Sequence, residues 1–290
     1  MKELIVGSRD SALAVAQTQL AIEQIEQCHP EVKIRLVTLK TTGDKILDRE
    51  LYDIGGKGLF VKELDRALLD GRIDLAVHSL KDMPMEENLA LPIGAVLQRG
   101  DPRDVMVFPE QGTAEDYSRV GTSSQRRKLQ LSLLERSAGY AFVRGNIHTR
   151  LRKLEEGQCS ALILAAAGLE RVGLAGRIGR YFAPEEMIPA AGQGILAIQT
   201  RTDFDAAFLA GVNHPDTMAA ALAERSFVRS LGGGCSSPVA AYATVAGEEM
   251  ELMGFYYDEE QQETRRDVIS GRKQDGRRLG ELLAERIRKR

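Results

Sequence analysis

The chain has 290 residues, 43% of them apolar and 28% charged, with a net charge of −3 at pH 7. These proportions describe a globular protein of more than one domain, and no apolar run is long enough to span a bilayer. Three cysteines (28, 159 and 235) and four scattered histidines (29, 78, 148 and 214) show neither a disulfide framework nor paired metal-ligand spacing, which argues against a structural zinc site and suits a reducing cytoplasm.

Residues 1–7 hold too short an apolar stretch for a signal peptide and read as a first strand around Leu4-Ile5-Val6. The chain then turns into a helix running to about Gln27, with Ser11 as N-cap and Leu13, Ala16, Leu20 and Ile25 near one face. A second strand over 34–39 completes a strand, helix, strand unit of a parallel sheet. Gly55-Gly56-Lys57-Gly58 is a flexible basic loop ahead of a helix carrying Phe60, Leu64 and Leu68; it lacks the spacing of a phosphate-binding P-loop. A strand over 73–78 ends in Ser79-Leu80-Lys81-Asp82-Met83-Pro84, and open α/β sheets bind ligands at such carboxyl ends. Lys81 and Asp82 stand there. Position alone supports a surface ion pair about as well as a role in a site.

A domain boundary falls near 98–104, and a strand starts at Val105. Between Arg119 and Arg180, ten arginines and two lysines face four glutamates, an excess of eight positive charges in an acidic chain. Gly121-Thr122-Ser123-Ser124 opens a helix with free backbone N–H groups and hydroxyls, an anion site by construction. Arg126 and Arg127 fall in its first turn, where the helix dipole disfavours them, and that placement points to an anionic ligand. A strand over 140–143 leads through Arg144 and Arg150 into a helix, and a strand over 161–165 leads to Arg171. Three successive junctions thus place arginine at one sheet edge, and its planar fork matches carboxylate or phosphate.

Residues 188–194 form a loop carrying Gln193; a strand over 195–199, a helix to about 212 and a helix over 216–230 follow. Leu231-Gly232-Gly233-Gly234-Cys235-Ser236-Ser237-Pro238 is either a tight turn with an incidental cysteine or an uncrowded loop that presents a thiol. Strands over 239–245, 251–257 and 263–269 form an antiparallel meander, and a helix from about 276 closes an α+β unit.

Taken together, these stretches resemble the porphobilinogen deaminase (hydroxymethylbilane synthase) family. The marks are Gly43-Asp44 with Ile46-Leu47-Asp48, then 55–63, 78–84, 101–104, 121–127, 144–150 and 192–194, and Gly233-Gly234-Cys235 with Pro238. They keep the family's order over essentially the whole chain. The resemblance implies an α/β plus α+β fold. Two periplasmic-binding-protein-like α/β domains with crossing linkers would precede a C-terminal α+β domain with a three-stranded antiparallel sheet. The division would be 1–98 with 195–212, then 99–194, then 213–290.

The same resemblance implies a dipyrromethane cofactor attached covalently to Cys235, and Asp82 as the catalytic carboxylate. Lys81, Ser11, Ser124, Arg126, Arg127 and Arg150 would bind the cofactor. Arg9, Gln17, Arg144, Arg150, Arg171 and Gln193 would bind the substrate, porphobilinogen. Four substrates would be joined head to tail with loss of ammonia, and water would release a linear tetrapyrrole. A cytoplasmic monomer is implied, with no metal and no nucleic-acid or membrane partner. Gly232 stands where the family commonly has glutamate, and Ser236-Ser237 where Gln-Val or Arg-Thr is frequent. Two other readings stay open. One is a carboxylate-binding module without catalysis. The other is nucleic-acid binding by the basic segment, although aromatic residues are few there and no recognition motif appears.

Overall fold

The computed structural model describes residues 3–41, 61–111, 116–234 and 237–289. Two five-stranded sheets share one plan. In the first, β1 (Glu3–Arg9) runs parallel to β2 (Lys33–Leu39) and β3 (Leu75–Ser79). The late strand β10 (Leu196–Thr200) inserts antiparallel between β3 and β4 (Ile93–Val96), giving the order β2-β1-β3-β10-β4. In the second, β6 (Val120–Gly121) runs parallel to β7 (Tyr140–Ala141) and β8 (Ala161–Ala165), while β5 (Asp104–Val107) lies antiparallel between β8 and β9 (Arg180–Tyr181). Every residue of β5 and β10 is buried, as expected of central strands covered on both faces. Each lobe is therefore of the periplasmic-binding-protein type.

The lobes are joined by two segments that run side by side. Gly100 N–H donates to Gly194 O at 3.1 Å, and Leu97 N–H to Leu196 O at 3.0 Å. A Cβ on Gly194 would lie 2.7 Å from Gly100 O, and Gly194 has φ +86°, so glycine is required here on both counts.

Helix α1 (Ala12–Cys28) buries Ala14, Gln17, Thr18, Ala21, Ile22 and Ile25 against the first sheet. The expected stripe through Leu13, Ala16 and Leu20 is displaced, and Leu20 is an exposed residue. Small residues let the helix sit close to the sheet, and Thr18 Oγ1 satisfies itself on Ala14 O at 2.8 Å. Helix α2 (Lys62–Leu69) buries Leu64, Ala67 and Leu68. In the second lobe α3 (Gln125–Leu134), α4 (Ile147–Glu155) and α5 (Ala166–Arg171) follow β6, β7 and β8. The helix expected after β10 is a single 3-10 turn, Ala206–Leu209, opened by Asp205, which accepts from Ala207 N–H, and closed by Ala210 N–H on Ala207 O.

The third unit packs α6 (Pro215–Ser230) and α7 (Gly276–Arg288) on the antiparallel sheet β11 (Val239–Ala246), β12 (Glu249–Asp258) and β13 (Glu263–Arg272). Phe227, Leu252, Leu283 and Ile287 form its core. Met85, from the first lobe, is buried in that same core. Arg225 donates to Pro84 O, and Glu87 pairs with Arg229 and Arg277. On the other side Arg266 donates to Glu185 O at 2.9 Å and to Gln130 Oε1 at 3.2 Å. The third unit thus grips both lobes. Among the described residues no helix is long and apolar enough to cross a membrane.

Candidate active site

A cavity of about 720 Å³ lies where the two lobes and the third unit meet. The first lobe reaches it through strand ends. β1 ends at Arg9, and Ser11 Oγ caps α1 by accepting from Ala14 N–H at 3.3 Å. β3 runs into one 3-10 turn, Leu80–Asp82. Leu80 and Met83 are buried on either side of Lys81 and Asp82, so the two polar residues border the cleft. The second lobe contributes helix starts. Ser124 Oγ caps α3 by accepting from Arg127 N–H, and Asn146 Oδ1 caps α4 by accepting from Thr149 N–H at 2.9 Å. Arg126, Arg127, Arg144 and Arg150 line the cavity from that side.

The charges around the cavity are strongly unbalanced. Arg9, Lys40 and Lys81 from the first lobe add to the four arginines of the second, against the carboxylates of Asp10 and Asp82. Behind this wall stands Asp104, fully buried at the head of β5. Its Oδ2 accepts from Arg126 Nη1 at 2.6 Å, and its Oδ1 from Arg127 Nε at 2.9 Å and Nη2 at 2.7 Å. The arginines placed against the dipole of α3 therefore have their counter-ion inside the chain. Burial would raise the Asp104 carboxyl, but the Arg126 and Arg127 charges outweigh it and hold it well below the usual carboxylate range. Burial, and then the Arg127 charge, push the Lys81 ammonium down to about 8, against the pull of Asp82 and Asp104. Burial, with Arg127 and Arg144 nearby, brings Arg150 down to about 10.

Lys81 and Asp82 do not form an ion pair. Lys81 Nζ donates to Gln193 Oε1 at 3.3 Å, and Asp82 forms no side-chain hydrogen bond or ion pair among the described residues. The Asp82 charge is felt by Lys81, Arg127 and Arg150, so the cleft brings together the residues that the sequence places at separate junctions.

Two expected substrate residues stand apart. Arg171 does not line the cavity; its Nη2 donates to Gly194 O beside the crossing segments. Gln17 accepts from Ser79 Oγ at 3.0 Å and borders a side pocket of about 20 Å³ with Arg9, His78 and Asp82. In that pocket burial holds His78 down at about 4. Cys235 lies outside the described residues, as do 43–48 and 55–60, but Gly234 and Ser237 on either side of it line the cavity. Sequence reasoning missed Asp104 as a functional residue and Lys40 altogether. An acidic residue heading a wholly apolar strand is the signal that marks Asp104.

Comparison with known proteins adds to this geometry. Residues 4–208 match the family model described as "Porphobilinogen deaminase, dipyromethane cofactor binding domain", and residues 218–289 match the C-terminal domain of the same family. The chain belongs to the porphobilinogen deaminase family. The porphobilinogen deaminase of Acetivibrio thermocellus is 54% identical over 254 residues, 87% of each chain. That of Ruminiclostridium cellulolyticum is 47% identical over 287 residues, 99% of this chain and 98% of the relative. Among solved structures, the methionine-binding protein MetQ aligns over 72% of this chain and 88% of its own at 13% identity, with a TM-score of 0.45.

A porphobilinogen deaminase carries a dipyrromethane cofactor, whose rings bear an acetate and a propionate each. The donor set fits such a group. Cationic side chains face the cavity from both lobes, several of them arginine forks made for carboxylates. Ser124, Arg126, Arg127 and Arg150 on one wall and Ser11 and Lys81 on the other are the residues that would hold it.

Proposed function

We propose that this chain joins four porphobilinogen molecules head to tail on a dipyrromethane primer held by Cys235, with Asp82 as the catalytic carboxylate, and then releases the linear tetrapyrrole by hydrolysis. The observation that carries the reading is the cleft itself. An acidic chain concentrates its cations around one cavity, places Asp82 at a strand end within it with no side-chain hydrogen bond or ion pair among the described residues, and brings both flanks of Cys235 to its wall. The three sheets support a division into 1–98 with 195–212, 99–194 and 213–290. The reading includes a cytoplasmic monomer that binds neither nucleic acid nor membrane; the free thiols of Cys28 and Cys159 suit a reducing compartment.

When bound, the cofactor supplies a nucleophilic pyrrole carbon. The residues of the chain do the rest. Arg9 and Arg144 orient the incoming carboxylates, and the arginine wall keeps the growing acidic chain in the cleft. Asp82 accepts pyrrole N–H groups. It stabilises the positive charge that develops as the C–N bond of the aminomethyl group breaks and ammonia leaves. The same carboxylate would take the α-proton that the attacking ring must lose when the new C–C bond forms. One group therefore serves every addition. A thioether at Cys235 resists hydrolysis, as a permanent anchor must.

The test follows intact mass. Cys235→Ala should carry no adduct and no activity, whereas Cys28→Ala and Cys159→Ser should keep both. Wild-type protein mixed with porphobilinogen should climb a ladder of added rings. Asp82→Asn, with cofactor attached and fold checked by circular dichroism, should climb on the order of a hundredfold more slowly at every step. Wild-type protein without any adduct would favour a carboxylate-binding module. A wild-type rate in Asp82→Asn would remove Asp82 from the chemistry.

A further inference from the structure

Gln193 borders the cavity, yet its side chain is 1% exposed and its amide is committed at both ends. Nε2 donates one hydrogen to Pro102 O at 2.7 Å and the other to Asp104 Oδ1 at 3.1 Å. Oε1 accepts from Lys81 Nζ at 3.3 Å. The backbone is held equally firmly. Gln193 N–H donates to Ala190 O, and Gln193 O accepts from Arg99 Nε at 2.9 Å. No amide hydrogen is left for a ligand.

We infer that Gln193 is a positioning residue: its amide links Lys81, beside the catalytic carboxylate, to Asp104, and through Asp104 to the arginine pair of the other lobe. The inference rests on the functional reading above. Glutamine suits the place because the two ends of its amide differ. The N–H end must face a buried carboxylate and a carbonyl, and the oxygen end must face an ammonium. Glutamate would set a second carboxylate against Asp104, and an apolar side chain would satisfy neither partner. Gln193 sits on the second crossing segment, one residue before Gly194, so the link passes through the joint between the lobes. Holding Lys81 and the arginines at one spacing presets how far apart carboxylates on adjacent rings are gripped.

The groups that face Lys81 are Asp82, Asp104, Arg126, Arg127 and the Gln193 oxygen. Replacing that oxygen therefore predicts shifts of opposite sign. Gln193→Glu adds an anion beside the ammonium, and Gln193→Met removes its acceptor. The probe is the Lys81 Cε resonance in 13C-lysine-labelled protein, assigned by its loss in Lys81→Arg and titrated without porphobilinogen. The cofactor load of each sample is matched by intact mass. We expect the proton affinity of Lys81 to rise about tenfold or more in Gln193→Glu and to fall in Gln193→Met. A purely packing role would move neither in this pattern. Kinetics supply the second arm. Positioning predicts that Gln193→Met lowers kcat about tenfold or more while KM for porphobilinogen stays within about twofold. Unmoved Lys81 titrations, or movement in the same direction in both variants, would overturn the inference, as would a raised KM with kcat intact. If Gln193→Glu does not fold, the fall required in Gln193→Met decides alone. Because the titration needs no substrate, its outcome is separate from failure of the functional reading, which would show as wild-type protein that leaves porphobilinogen unchanged.

Discussion

Arg127 uses three donors inside the chain, two on Asp104 Oδ1 and one on Ile163 O at 3.0 Å, and still borders the cavity. It therefore has a structural and a functional consequence, and they separate on mutation. Arg127→Leu leaves the buried Asp104 charge to Arg126 and Gln193. Breaking a buried pair from one side costs about 3–5 kcal/mol, read as a lower melting temperature. The same change should leave much of the purified protein without the cofactor adduct. Arg127→Lys keeps the charge but loses the fork, so both losses should be partial. Normal stability with full occupancy in Arg127→Leu would refute both roles. At this scale strand ends and helix starts, being local signals, singled out Lys81, Asp82, Arg126, Arg127, Arg144 and Arg150, and all six line the cavity. They did not reveal Asp104. Its Asp-Pro-Arg-Asp context reads as an ordinary turn until β5 is known to be a central strand with both faces covered. Lys81 was legible as a neighbour of Asp82 but not as its non-partner, because Gln193 approaches from more than a hundred residues away.

Helices α6 and α7 meet at glycine. A Cβ on Gly280 would stand 2.4 Å from Ala223 O and 2.7 Å from Phe227 N, both backbone atoms that cannot step aside. Gly280→Ala thus sets two effects against each other. Helix propensity favours alanine by about 1 kcal/mol. Forcing the helices apart in a filled core costs about 1–3 kcal/mol. The clash should win, and urea unfolding should show a net loss of stability; a gain would mean that the pair separates freely. The elements of this third unit were legible because their periodicity is long and regular. Two others were misread. In α1 the wide leucines suggested the buried face, whereas close packing on a sheet selects alanine and threonine. After β10, apolar residues at helical spacing gave only one turn, which Ala210 N–H closes on Ala207 O.

For the whole molecule, recurring strand-to-helix junctions made the α/β class legible, the resemblance implied two lobes with 195–212 returning to the first, and neither told where β10 and β5 insert in their sheets. Strand order depends on contacts between distant segments, which no local pattern encodes. That order has a consequence for synthesis. β4 leaves the ribosome long before β10, yet β10 lies between it and β3 and is its neighbour in the sheet. At about 5–20 residues per second, the first lobe waits about 5–20 s with a missing central strand and unpaired edges on both sides of the gap. Chains arrested after residue 194 should therefore be cleaved by protease within the first lobe, whereas released full-length chains should resist. Equal resistance would mean that the lobe closes without its central strand. The nascent chain is thus most exposed to mispairing and chaperone capture while the second lobe, complete in its own strands, is already able to fold.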